Sequence, residues 1–185
     1  MLPDLLNSTR RFLLVVLAVS LPAHLAYGGE TEFEKTTRIA LAEIHAKGFA
    51  AGDMETCVSI YADNATFFVD NELQATGQKE LLAFYRQLKE EDQILSIEVD
   101  EFVEFSQSEN SGWVIFNYSK VYDLTSRDPD FLRQHKLTGF SSLRVRQYGT
   151  AIFNHDGGQW KIQTMLVFDP EVWEPHHRMR RIASR

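Results

Sequence analysis

The sequence predicts an α+β fold, with helices in the first half and an antiparallel meander in the second. Three observations carry this. Apolar residues recur with a helical period up to about residue 90, and strand-like runs follow from about residue 95 to residue 168. Asp156-Gly157-Gly158 between two such runs is the strongest hairpin signal in the chain. Helices grouped before strands, not alternating with them, point away from a parallel α/β sheet.

Residues 29–35 read as a frayed lead into a first helix over 32–51. Its apolar stripe is Phe33, Thr37, Leu41, Ile44, Gly48 and the edge of Phe49. Glycine inside a helix costs about 1 kcal/mol against alanine, so Gly48 predicts a close packing partner. Gly52 is a helix stop that adopts the left-handed conformation at little cost. Asp53 then caps a second helix running to about Tyr61, with Thr56 and Cys57 in its first turns. Asp63-Asn64 reads as a turn, 65–69 as a strand, Asp70-Asn71-Glu72 as a tight hairpin, and 73–75 as its return. Gly77 opens a third helix over about 78–90, with Leu81, Phe84, Tyr85 and Leu88 at i, i+3, i+4 and i+7.

Four strand-like runs complete the chain. Residues 95–106 alternate in part, with a phase slip that suggests a bulge. Residues 113–124 alternate cleanly: Trp113, Ile115, Asn117, Ser119 and Val121 share one face, and Val114, Phe116, Tyr118, Lys120 and Tyr122 the other. Residues 125–137 are a polar insertion, either a lid or a long hairpin loop. Residues 139–154 form a long strand, and 160–168 the last one, ended by Asp169-Pro170. On that last strand Ile162, Leu166 and Phe168 are expected to share a face with Thr164, opposite Met165 and Val167. Apolar residues on both faces mean that both faces are covered.

A chain of 185 residues with thirteen Phe can bury a single-domain core. Its net charge is −7, and the first 28 residues carry two arginines and one aspartate, so the remainder is more acidic still. Such a surface repels phosphates, and no Lys/Arg cluster with interleaved aromatics is present, so nucleic-acid binding is excluded as a main role. Arg10-Arg11 before the apolar run 12–21, then Pro22 and small residues, is the layout of a secretory signal peptide cleaved near Gly28. The run is short for a membrane span, which needs about 20 residues, and an uncleaved anchor stands as the alternative reading. The domain expectation is therefore a signal peptide over 1–28, a folded domain over 29–169 and a basic tail over 170–185 outside it. Export to the periplasm or beyond follows, with no stable membrane span after removal of the signal. Cys57 is the single cysteine and reads as a small buried hydrophobe.

Gly52-Asp53, the run Tyr61-Ala62-Asp63-Asn64-Ala65-Thr66, Gly77, and Asp156-Gly157-Gly158-Gln159-Trp160-Lys161-Ile162 together resemble the nuclear-transport-factor-2-like superfamily. Within it they resemble the SnoaL-like and ketosteroid-isomerase-like proteins, over about residues 33–168. The resemblance implies three helices closing one side of a strongly curved, mixed or antiparallel sheet: a cone with a deep apolar pocket, and an outer sheet face that makes a homodimer. Such a fold hosts enzymes, binding proteins and assembly domains alike.

The candidate acid–base residues are His45, where the resembling isomerases carry a tyrosine oxyanion donor, and Asp70, near the position of their general base. Asp70 lies one residue later than that base, with Val69 in the equivalent place, so a turn role for Asp70 stands beside the catalytic one. No acid occupies the segment 148–153 where those isomerases place a second donor, which disfavours their arrangement. Candidate pocket residues are Phe49, Tyr61, Phe68, Tyr85, Phe116, Tyr118 and Met165. Arg144 and Arg146 either clamp an anion inside the cone or pair with acids outside it; Leu143 and Val145 suit the interior better. No metal-ligand spacing, phosphate loop or dinucleotide fingerprint is present, so no metal and no cofactor is expected. The expected function is an exported pocket protein for a small apolar or carboxylate-bearing molecule, in one form a cofactor-free isomerase, dehydratase or cyclase. The alternative is a non-catalytic dimeric ligand-binding or protein-assembly module.

Overall fold

The structure, a computed structural model, describes residues 29–168 and 173–178. The expected signal peptide over 1–28 and most of the 170–185 tail lie outside the described residues. No helix among the described residues is long and apolar enough to cross a membrane.

The first helix is continuous but not uniform. α1 (Glu32–Arg38) starts on a complete capping box, with Thr31 and Glu34 exchanging bonds. It passes into a π-helical segment, Ile39–His45, and then into α2 (Ala46–Ala51). The Ala46 N–H donates to the Leu41 carbonyl, five residues back. This wider turn keeps residues four apart in line, so Phe33, Thr37, Leu41 and His45 form the buried stripe. Ile44, expected on that stripe, is half-buried instead, and His45 takes its place. Gly48 is the close approach that its sequence position predicted: a Cβ there would lie 3.0 Å from the Cys57 backbone nitrogen and 3.2 Å from the Asp53 carbonyl oxygen. Gly52 ends the helix with φ +80°. Asp53 caps α3 (Met54–Val58), accepting from the Thr56 N–H at 3.0 Å and the Thr56 hydroxyl at 2.7 Å. α3 ends before Tyr61 because Tyr61 already belongs to β1 (Tyr61–Val69).

β1 is followed by β2 (Glu72–Thr76), α4 (Gly77–Glu90), β3 (Ile94–Gln107), β4 (Ser111–Asp123), α5 (Pro129–Gln134), β5 (Phe140–Asp156), β6 (Gln159–Phe168) and β7 (Trp173–Arg178). The sheet order is β2-β1-β6-β5-β4-β3, with β7 also on β5. β1 pairs β6 in parallel, and the other pairings are antiparallel, so the sheet is mixed. The Asp63-Asn64 turn expected from sequence is an irregularity within β1, where the register against β6 shifts between Tyr61 and Thr66. Asp70 and Asn71, both with positive φ, make the two-residue hairpin.

The inward face is settled by burial. On β5 it is Leu143, Val145, Gln147, Gly149, Ala151 and Phe153; on β4 it includes Val114, Phe116, Tyr118 and Lys120. The helices cover this face, and the main core joins Phe33, Phe49, Tyr61, Leu81 and Tyr85 to these strands. Ile162 departs from its expected face. A register shift skips Gln163, so Ile162, Met165 and Val167 all point inward, opposite Phe153, Ala151 and Gly149. Thr164, Leu166 and Phe168 remain outside. Arg144 is outside too, paired with Glu98 and with Asp100 at 3.1 Å.

The 125–137 insertion carries α5, capped by Asp128 with Pro129 at its start. Phe131 and Leu132 pack on a second small core of Leu124, Leu137, Leu143 and Val145. Arg127 donates to the Asp92 carbonyl at 2.8 Å, and the Ser126 hydroxyl to Gln93 Oε1 at 2.8 Å. The insertion is therefore packed structure, not a bare loop. The expectation of a tail wholly outside the domain is corrected for 173–178. β6 pairs β5 over 148–156 and leaves its first half an open edge, which β7 satisfies over 140–145.

Candidate functional site

Between the helix layer and the concave sheet face lies an apolar cavity of about 30 Å³. By volume it has room for a water or two and is far below a typical drug-sized pocket. Leu41 and His45 reach it from the first helix, Tyr85 and Leu88 from α4, and Ile97 and Val99 from β3. The sheet adds Phe67, Phe116, Tyr118, Lys120, Met165 and Val167.

His45 is the decisive polar group. It is 6% exposed, and its Nε2 has no hydrogen-bond partner. Its ring lies 5.1 Å from the Tyr85 ring and 6.1 Å from the Tyr61 ring, both edge-on. Burial without a counter-charge pushes its pKa down from 6.5 to about 4, so the imidazole is neutral at neutral pH. The π-helical segment delivers it here, because a regular α-helix would have placed Ile44 nearer the centre of the buried stripe. Behind it, the Tyr61 and Tyr85 hydroxyls meet at 2.7 Å. Desolvation holds both phenols far above their ordinary range, so this pair is a neutral structural bond.

The candidate residues separate into three groups. His45, Tyr85, Phe116, Tyr118 and Met165 come together around the cavity. Phe49 and Tyr61 are fully buried one layer behind it, Phe49 with its ring 6.2 Å from the Tyr85 ring and with the Lys89 ammonium 5.0 Å from its centroid. Phe68 and Asp70 are not at the cavity. Phe68 lies on the outer face of β1, beside Leu73 and Leu166, and Phe67 takes the inward place. Asp70 is an exposed hairpin residue with φ +48°, so His45 and Asp70 do not form an acid–base pair. The resemblance placed the strand correctly but could not fix its inward phase.

No family model matches the sequence, and no curated protein matches it. Solved structures do. A ketosteroid isomerase-like protein from Erwinia carotovora atroseptica aligns over 75% of this chain and 98% of its own, at 17% identity and a TM-score of 0.53. An NTF-2-like protein of unknown function from Shewanella oneidensis aligns over 73% and 98%, at 14% identity and a TM-score of 0.53. A protein of unknown function with a cystatin-like fold from Nostoc punctiforme aligns over 76% and 94%, at 11% identity and a TM-score of 0.57. The chain has the nuclear-transport-factor-2-like cone fold.

Two residues of this cone escaped the sequence reading. Lys120 lines the cavity although it is 8% exposed, and its signal was visible in the clean alternation that put it on the face of Phe116 and Tyr118. Gln147, 1% exposed, sits between inward Val145 and Gly149, where the period-2 pattern of β5 could have flagged a polar residue in an apolar series. Among the described residues, no group of three or more His, Cys, Asp or Glu is placed to hold a metal. Cys57 is buried, and desolvation raises its pKa, which leaves it an inert thiol.

Proposed function

We propose that this is a pocket protein that binds a small, largely apolar molecule without a cofactor, inside the cone and against His45. The observation that carries the reading is the unpartnered His45 Nε2 at the apolar cavity. An orphaned buried polar atom costs about 1–3 kcal/mol, and a ligand group that bonds it recovers that cost. Binding is favoured over turnover on two grounds. An imidazole held near pKa 4 is a weak base at neutral pH. The second candidate acid–base residue, Asp70, stands at an exposed hairpin away from the cavity. The ligand is compact, or its entry moves the wall: Met165, unbranched and adaptable, is the wall residue best suited to yield. With the signal peptide expected at 1–28, the protein would act outside the cytoplasm.

The test is thermal unfolding with p-cresol or cycloheptanone, each an apolar ring with one hydrogen-bonding group. Either probe is expected to raise the Tm of the wild type, and the Met165→Phe variant, whose ring fills the space, is expected to lose the shift. No shift with either probe at millimolar concentration would remove the pocket reading.

The same reading includes a homodimer through the outer sheet face. Tyr148 is 56% exposed and its cross-strand neighbour Phe168 37% exposed. Ile152 and Trp113 face each other one step further along, and Ile115, Leu166 and Phe68 fill between them. An apolar patch with no charge at its centre suits a two-fold contact, in which it meets itself. Tyr148→Glu is expected to convert the dimer to a monomer by light scattering while leaving the probe shifts unchanged. A wild-type monomer at 100 μM would remove the dimer.

A further inference from the structure

Lys120 is the one side chain with a formal charge among the described residues that line the cavity, and it is 8% exposed. Its place is set by register. On β4 it follows Phe116 and Tyr118 at two-residue steps, so the three share the concave face. Across the sheet it stands opposite Ile97 on β3, which lines the cavity, and Val145 on β5, which belongs to the second small core. Lys120 therefore marks the place where the cavity meets that core. An inward position between two aliphatic neighbours ordinarily takes an aliphatic residue, because lysine is almost never buried without groups that bond its ammonium. Folding has already stripped water from this ammonium, so an anion that enters the cavity meets a charge held in place. His45, on the helix side, is neutral at neutral pH, and no Asp or Glu is among the described lining residues. The lining thus offers a guest one positive charge in an apolar surround.

We infer that the ligand of the cone is a compact apolar monocarboxylate, held with its carboxylate on the Lys120 ammonium and its hydrocarbon body against the remaining wall. This rests on the pocket reading above, and adds the ligand's charge and the residue that reads it. Leu41, Phe67, Leu88, Val99 and Phe116 make that wall apolar, so the body of the ligand is hydrocarbon. A carboxylate only accepts hydrogen bonds, and an ammonium only donates them. The ammonium has three N–H groups, so a bond to the protein at one leaves others for a guest. Charge-assisted bonds of this kind are about twice as strong as neutral ones. One positive charge selects a monoanion, because a second carboxylate would be buried against hydrocarbon without a counter-charge. The sequence attached the carboxylate option to Arg144 and Arg146. Arg144 is instead on the outer face with Glu98 and Asp100, and Lys120 is the cation that the cavity holds.

The experiment compares benzoate with benzamide, planar rings of nearly the same shape that differ by a negative charge. Affinities are measured by titration calorimetry at pH 7 on the wild type, Lys120→Met and Lys120→Arg, with Tm recorded for each protein. The wild type is expected to bind benzoate at least about tenfold more tightly than benzamide. Lys120→Met removes the charge and keeps most of the length, so it is expected to bind benzamide as the wild type does and benzoate no more tightly. Lys120→Arg is expected to keep the preference for benzoate. An ammonium with only a structural role would change Tm on substitution but would give the wild type no such preference. Equal affinities in the wild type would overturn the carboxylate subsite and leave the pocket standing. A preference that survives in Lys120→Met would overturn it as well, by placing the carboxylate elsewhere. A reading that needs no variant comes from wild-type protein labelled with 15N at the lysine side-chain nitrogens. Benzoate, and not benzamide, is expected to shift one Nζ resonance, and no shifted lysine resonance would overturn the proposal even if Lys120→Met does not fold. If neither ring binds while p-cresol raises Tm, the subsite falls alone; if p-cresol and cycloheptanone fail too, the pocket reading falls with it.

Discussion

Lowering the pH from 6.5 to about 4 is expected to cost the wild type about 3 kcal/mol more folding stability than it costs His45→Leu. In the unfolded chain His45 takes up its proton near pH 6.5; in the folded cone burial delays uptake to about pH 4. Between those values the unfolded state binds the extra proton, so stability falls as pH falls through this window. Above it both states are neutral, and His45 contributes no pH dependence. The 2.5-unit interval at about 1.4 kcal/mol per unit gives the magnitude. The groups facing the imidazole do not offset it. Tyr61 and Tyr85, whose rings face it, stay neutral throughout. Carboxylates elsewhere also titrate in this range, which is why the difference between the two proteins is the quantity to measure, by urea unfolding at pH 7, 6, 5 and 4. Parallel pH profiles would show that His45 is solvated in the native state. At pH 7 the leucine variant is expected to be at least as stable as the wild type, because it removes an unpaired buried nitrogen.

Phe33→Ala is expected to remove about 3–5 kcal/mol of stability, the cost of emptying a fully buried phenyl site. The ring ties the start of the first helix to three strands. Its centroid lies 5.7 Å from Phe153, 6.5 Å from Phe105 and 4.7 Å from Trp160. Its tip rests on Gly112, where a Cβ would stand 2.5 Å from Phe33 Cζ. Gly112→Ala alone must push the ring away, at about 1–3 kcal/mol. In the Phe33→Ala background the added methyl meets empty space, so its cost should vanish or reverse sign. A double-mutant cycle by chemical denaturation is expected to give a coupling of about 1 kcal/mol or more. Strict additivity would mean that the ring does not sit on the glycine.

The fold was legible where period and punctuation agreed. The stripe of α4, the stop at Gly52 with the cap at Asp53, the Asp70-Asn71 hairpin and the alternation of β4 each carry their own physical signature. The site was legible in part. His45, Tyr85, Phe116, Tyr118 and Met165 do line one cavity, but Phe68 was taken for Phe67, one residue off on a strand where one residue reverses the face. Such phase errors arise where regular periods are broken. The π-helical segment, the irregularity in β1 and the skipped Gln163 each shift the count by about one residue, and none has a residue type that announces it. Gln147 and Lys120 were missed for the opposite reason: polar letters in an inward register read as surface until burial is known.

The π-helical turn at Ile39–His45 also sets which side chain the helix turns inward. It is a wider turn held in a helix whose two ends are already anchored. Here the anchors are the Phe33 ring on Gly112 at one end and Gly48 against the Cys57 backbone at the other. With both ends fixed, the wider turn decides which side chain faces the hollow without moving the framework around it. In this cone it presents an imidazole where the regular period would present the aliphatic Ile44, so helical pitch, as much as residue identity, sets the chemistry of the interior.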